Sequence, residues 1–393
     1  MSMSNTNVAG DTIQAKRNLS KYYFYGLLSH LFFERGIFII YLGYKGLTIP
    51  QISLFQGIIN AAMMVAEIPT GIIADRIGKK YSLLLGNIMM ITYYLLMIYS
   101  SSIFGFLCAA IIFGVGSTFV SGTIEAYLYD LVPGKESSVK YLGRLSSIIT
   151  LALGVAMIAG GYIQLYSWEL LLMAGALMQF VGILVLLFLP NIVYEAAASK
   201  GQIFAVIDNV KRDKVLLEIA VFLGVNVGMV SASYILGQRI LSDFGMPTQY
   251  VSLFFFADNI IATLVFSQVE NILRFFGQKK SLVTSFVMMA AGFVLLLADT
   301  LWWSAASILI ISITCNYTST VFMDCFYNRI EDSVRATGGS VFNMLSSLIM
   351  AGVFGLVSLF GPHYLMIISF AGAMSAVTML SFSLKKTLTV VEE

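Results

Sequence analysis

Apolar runs of about twenty residues, parted by only a few charged, glycine or proline positions, succeed one another from Tyr22 almost to the end of the chain. At 1.5 Å per helical residue each run is long enough to cross a hydrocarbon core of roughly 30 Å. With 58% of residues apolar and 11% charged, a water-soluble globule of 393 residues would expose large apolar patches. The pattern therefore predicts an all-α polytopic membrane protein. Twelve helices are expected, at about 22–44, 51–74, 80–99, 102–130, 139–165, 167–190, 214–239, 248–272, 279–299, 302–329, 333–360 and 362–384.

Basic residues orient these spans. With the N-terminus inside, twenty of the 23 Lys and Arg residues fall on the cytoplasmic side, which is the bias expected of short loops. Both termini are then cytoplasmic. Met1 to Ser20 is polar and holds no apolar signal region, so the first span is expected to serve as the insertion signal. Asn191 to Asp213 is the longest polar stretch between runs, and it divides the chain into an N-terminal bundle (1–190), a linker (191–213) and a C-terminal bundle (214–393). Features recur across it. Gly78 with Lys79 and Lys80 is echoed by Gly277 with Lys279 and Lys280, and Glu125 by Asp324, both at a spacing of 199. Such recurrence predicts two pseudo-symmetric six-helix bundles.

Ionisable residues deep in a bilayer are costly unless paired or hydrated, so they mark function by default. Glu34 lies about twelve residues into the first predicted helix and Asp258 about eleven into the eighth, near the midplane in each half. A carboxyl group there can take up a proton or hold a cationic solute. Arg35 follows Glu34 but points about 100° away on a helix, so its partner is expected on another helix. His30, four residues before Glu34, shares its helical face and is either a proton partner or a packed histidine. Glu67 precedes Pro69 and Gly71, where a kink would serve a gate. Glu125, Asp130, Arg144, Asp324 and Arg329 gather at the cytoplasmic ends of the fourth, fifth and tenth helices, where ion pairs can hold a gate shut. Aromatic residues such as Tyr127, Tyr234 and Phe254 to Phe256 suit a cavity for an apolar or cationic organic solute.

Other classes find no support. Cys108, Cys315 and Cys325 sit inside apolar runs without metal or disulfide spacing, so neither a redox framework nor a metal site is expected. The net charge of +2 is spread over short loops and forms no nucleic-acid face. No phosphate loop or nucleophile elbow is present, and neither a cofactor nor an enzymatic reaction is expected.

Between the second and third predicted helices stands Gly71-Ile-Ile-Ala-Asp75-Arg76-Ile-Gly78-Lys79-Lys80. This loop resembles the one between the second and third helices of the major facilitator superfamily, and the whole chain is similar to that family's bacterial drug/proton antiporters. The resemblance implies proton-coupled efflux of a small organic compound by rocker-switch alternating access, in a monomer within the bacterial cytoplasmic membrane. Uptake or facilitated diffusion without proton movement is the alternative within transport, and a membrane enzyme or lipid-handling protein the alternative outside it. The resemblance further implies that Asp75 and Arg76 join charges at neighbouring helix ends to form a cytoplasmic gate, with Asp130 and Arg144 as partners here. Two features depart from the antiporter pattern. The membrane part of the fourth helix carries no Arg, and no Pro lies between Val139 and Leu165.

Overall fold

The computed structural model describes residues 3–132, 138–192, 214–298, 300–327 and 335–385. Arg329 and the linker beyond Ile192 lie outside the described residues. Within them the chain forms α1 (Met3–Ser29), α2 (Phe38–Tyr44), α3 (Ile49–Ile77), α4 (Lys79–Tyr99), α5 (Ile103–Leu131), α6 (Ser138–Ile163) and α7 (Trp168–Leu187). After the linker follow α8 (Lys214–Asp243), α9 (Thr248–Phe276), α10 (Gln278–Leu295), α11 (Leu301–Tyr327), α12 (Arg335–Phe360) and α13 (Tyr364–Lys385). Eleven of these helices are long and apolar enough to span a membrane. The twelfth span is the exception, because the helix expected over 22–44 is two helices separated at His30 to Ile37.

That interruption has a local cause. His30, Glu34, Arg35 and Gly36 are concentrated in one short stretch, where polar side chains compete for backbone groups and glycine weakens the helix. The freed backbone does not stay bare. His30, Leu31 and Arg35 amides reach the carbonyls of Leu27, Leu28 and Phe32 in tight turns of 3.1–3.4 Å. The Gln179 amide on α7 donates to the Ser29 carbonyl at 3.0 Å, and Gln238 on α8 accepts from the Ile39 amide at 3.2 Å. Non-helical backbone at membrane depth persists only where protein partners satisfy it in this way.

Internal repetition extends to turn chemistry. The first span ends with Leu47 N–H to Leu42 O and Gly46 N–H to Gly43 O; the corresponding turn after α8 has Met246 N–H to Leu241 O and Gly245 N–H to Ser242 O. Both are Schellman caps with glycine in the left-handed region, φ 86° at Gly46 and 88° at Gly245. Gly78 and Gly277, again 199 apart, open α4 and α10 with φ of 92° and 74°.

Close contacts divide the chain into two compact units, one of residues 1–36 and 65–197 and the other of 37–64 and 198–393. In the first, α4 packs on α5 and α7, and α1 on α5, α6 and α7. Its core includes Tyr22, Tyr25, Leu83, Tyr127, Leu128 and Leu186, with the Tyr22 and Tyr127 rings edge-on at 5.2 Å. In the second, α8 packs on α11, α12 and α13, α10 on α11 and α13, and α2 lies against α8.

Candidate substrate and coupling sites

Glu34 sits inside the interruption of the first span and is 4% exposed. Both of its carboxyl oxygens accept from one donor, the Tyr94 hydroxyl on α4, at 3.1 Å each. Tyr94 is itself fully buried and its ring is held against Tyr93 at 5.2 Å, which in turn meets Phe113 at 4.8 Å. Two glycines make the arrangement possible. A Cβ at Gly160 on α6 would fall 1.8 Å from the Phe33 carbonyl oxygen, and one at Gly175 on α7 would fall 2.6 Å from the Tyr94 ring. So α6 bears on the unwound backbone just before Glu34, and α7 bears on the side chain that binds it.

His30 does not meet Glu34. With the helix broken between them, the four-residue spacing no longer sets them on one face, and the His30 ring turns back to Gly26 O and Ser29 Oγ, both at 3.0 Å from Nδ1. Arg35 is exposed, while Glu34 beside it is buried. Sequence reasoning picked out Glu34 by its charge but missed Tyr94, Gln179 and Gly175. Only Gln179 carried a signal, as a buried amide in an apolar run.

Asp258 on α9 is 2% exposed. Its Oδ2 accepts from the Ser312 hydroxyl on α11 at 3.0 Å, and its Oδ1 has no hydrogen-bond partner among the described residues. Next along α9, Asn259 donates to the Tyr234 hydroxyl at 3.1 Å, and Tyr234 packs edge-on to Phe255 at 4.6 Å. Each unit thus encloses one carboxyl group, tied to a hydroxyl of a neighbouring helix.

The glycine and lysine loop lies in the first unit, apart from the start of α3. Lys79 pairs with Asp130 at 2.7 Å and also donates to the Ala126 carbonyl at 3.1 Å, near the end of α5. Lys80 donates to the Leu187 and Leu189 carbonyls at 3.0 and 2.6 Å, at the end of α7. Cations are favoured at helix C-termini, so two consecutive lysines fasten the ends of two helices to the start of α4. The end of α7 also receives Lys21, at 3.4 Å from the Phe188 carbonyl, and the Tyr127 hydroxyl, which donates to the Pro190 carbonyl.

Asp75 and Arg76 are exposed, and no ion pair among the described residues includes them. Gly71 is exposed with open space around it, and Gly78 supplies the left-handed turn. Arg144 places its guanidinium over the Tyr23 ring at 5.1 Å. Glu125 and Asp324 are exposed near the ends of α5 and α11. Glu67 is half-buried two residues before Pro69, where Thr70 bonds back to the Ala66 and Glu67 carbonyls.

A family model described as Major Facilitator Superfamily matches residues 23–355. An uncharacterized MFS-type transporter of Methanocaldococcus jannaschii is 33% identical over 129 residues, which is 33% of each chain. A second, from Bacillus subtilis, is 26% identical over 159 residues, 40% of each. The matched stretch thus spans well under half the length of these relatives. Among solved structures, a nucleoside transporter aligns with a TM-score of 0.75 at 15% identity, covering 95% of this chain and 100% of that one. A D-xylose-proton symporter aligns with a TM-score of 0.72 at 13% identity, covering 92% and 97%.

Proposed function

We propose, from the premise that this chain belongs to the Major Facilitator Superfamily and has the fold of a secondary transporter, that it exports a small organic compound in exchange for protons. The observation that carries this reading is Glu34, an enclosed carboxyl group in a broken span. Its side chain is held by a hydroxyl that can donate to the carboxylate and accept from the acid, so loss and gain of a proton both leave it partnered. Asp258 is the second ionisable site, in the half that repeats the first. Export proceeds by rocker-switch alternating access between an N-terminal bundle (1–190) and a C-terminal bundle (214–393) of a monomer, with the basic loops and both termini on the cytoplasmic face of a bacterial plasma membrane. Lys79 with Asp130, and the exposed charges Asp75, Arg76, Glu125, Arg144 and Asp324, serve its cytoplasmic gate.

Liposomes holding a pH-sensitive dye and the purified protein test the coupling. Small organic compounds that move protons with the wild type should fail to do so with Glu34→Gln, and Asp258→Asn should lose proton movement or compound uptake. Unchanged compound-driven proton movement in both variants would reject the two sites.

Uptake or facilitated diffusion is the second reading. It is favoured by the missing Arg in the fourth span and the missing Pro of the fifth, and compound flux indifferent to the pH gradient would establish it.

A further inference from the structure

The end of α7 collects more positive charge than a helix terminus can balance. Lys80 on α4 donates to the Leu187 and Leu189 carbonyls at 3.0 and 2.6 Å, and Lys21 on α1 donates to the Phe188 carbonyl between them at 3.4 Å. Two ammonium groups thus converge on three consecutive residues, and no ion pair among the described residues includes either. A helix C-terminus offers about half a negative charge, against two full positive ones. Arg17, one turn before Lys21 on α1, is exposed and adds a third. Each ammonium group carries three N–H bonds, of which Lys80 spends two here and Lys21 one. Water can satisfy the donors that remain, but only an anion balances the charge.

Apolar side chains flank the cations. Phe188 is 73% exposed, and its ring centre lies 5.9 Å from Lys21 Nζ. Phe24, three residues on from Lys21, and Leu184, one turn before the end of α7, are exposed, as are Leu85 and Ile88 further along α4 from Lys80. Ammonium groups at the end of an exposed apolar surface match the two parts of a phospholipid, a charged headgroup and its acyl chains. The second unit shows that the fold does not require this grouping. At the spacing of 199, Lys279 on α10 corresponds to Lys80 and Ala220 on α8 to Lys21. Lys279 is exposed and Ala220 is buried, so one corner of one unit has the paired cations and its counterpart does not.

We propose that the ends of α1, α4 and α7 hold an anionic phospholipid of the leaflet on the basic-loop side, its phosphate oxygens at Lys21 and Lys80 and its acyl chains along Phe24, Leu184, Leu85 and Ile88. A zwitterionic lipid brings a cation of its own and leaves the surplus charge unbalanced, so the site selects by net headgroup charge. Because the two lysines come from different helices and meet on a third, the bound lipid ties three helices of the first unit together at the membrane surface.

Native mass spectrometry of the purified protein, relipidated with equal amounts of phosphatidylglycerol and phosphatidylcholine, gives the first test. The wild type and Lys279→Gln should retain phosphatidylglycerol over phosphatidylcholine by about threefold or more, and Lys21→Gln should bring the two near equality. Lys21→Gln leaves both bonds from Lys80 to α7 in place, so the helix end stays fastened. No preference in the wild type, or the same loss in Lys279→Gln as in Lys21→Gln, overturns the proposal. The unaltered protein supplies the second test, by acetylation of lysines in lipid nanodiscs. Relative to Lys279, Lys21 and Lys80 should react about threefold or more slowly in phosphatidylglycerol than in phosphatidylcholine. An unchanged ratio overturns the proposal. Inorganic phosphate added to phosphatidylcholine nanodiscs should not protect them, and protection by phosphate would replace the lipid with a free anion. Neither test requires a transported compound, so the lipid site stands or falls apart from the coupling sites.

Discussion

At the level of single residues, the broken span depends on what α6 and α7 lack as much as on what they carry. Alanine in place of a helix-interior glycine ordinarily stabilises a helix by about 0.5–1 kcal/mol. At Gly160 the sign reverses, because the new Cβ would meet the Phe33 carbonyl at 1.8 Å and backbone cannot swing aside as a flexible side chain can. Gly160→Ala is therefore expected to destabilise the protein by about 1–3 kcal/mol, the cost of overpacking. A fall in Tm in detergent would show it, and an unchanged or raised Tm would refute the close contact. Glu34 was legible in the sequence because a charge in an apolar run stands out against its neighbours. Tyr94 and Gly175 were not, since a tyrosine and a glycine among many in apolar helices acquire their roles only from a partner 60 or more residues away.

Among elements, the number and length of the spans followed from hydropathy alone, and most predicted boundaries lie within a few residues of the observed ones. The exception is instructive. An apolar count over 22–44 reads continuous helix, since the count registers burial in lipid and not backbone conformation, while His30 to Ile37 makes its hydrogen bonds in turns and glutamines on two other helices bond the flanking Ser29 carbonyl and Ile39 amide. The loop after α3 was legible as a motif, but not its partners. Lys79 reaches Asp130 through the fold, across a sequence gap that no local pattern spans. Because the two side chains are 25% and 10% exposed, solvent screening is partial. A double-mutant cycle of Lys79→Met and Asp130→Asn should give a coupling of about 1–2 kcal/mol, between the values of exposed and buried pairs. A coupling near zero would mean that the pair does not fasten α5 to α4.

Across the whole molecule, the second part of the first span and the start of α3 pack within the unit formed by the C-terminal helices. A Cβ at Gly57 would lie 3.4–3.7 Å from the Ala351 carbonyl, Phe354 and the Gly355 amide, room for a methyl group but not for a branched side chain. If the chain is cut within the linker and the two parts are co-expressed, they should co-purify, and Gly57→Leu should weaken their association while Gly57→Ala leaves it intact. Co-purification unaffected by Gly57→Leu would show that this packing does not hold the parts together. The likeness of the halves was visible in a few residues 199 apart, yet its full extent shows only in the paired Schellman caps at Gly46 and Gly245. Those caps bear on ancestry. A tandem copy of a stretch that crosses the bilayer six times begins on the same face as the original, so a duplicated gene would have carried its charge bias and its turns over together. Two copies then evolve side by side without either having to invert, and each is free to lose what the other retains. In this chain the first copy has a broken opening helix where the second, α8, runs unbroken from Lys214 to Asp243.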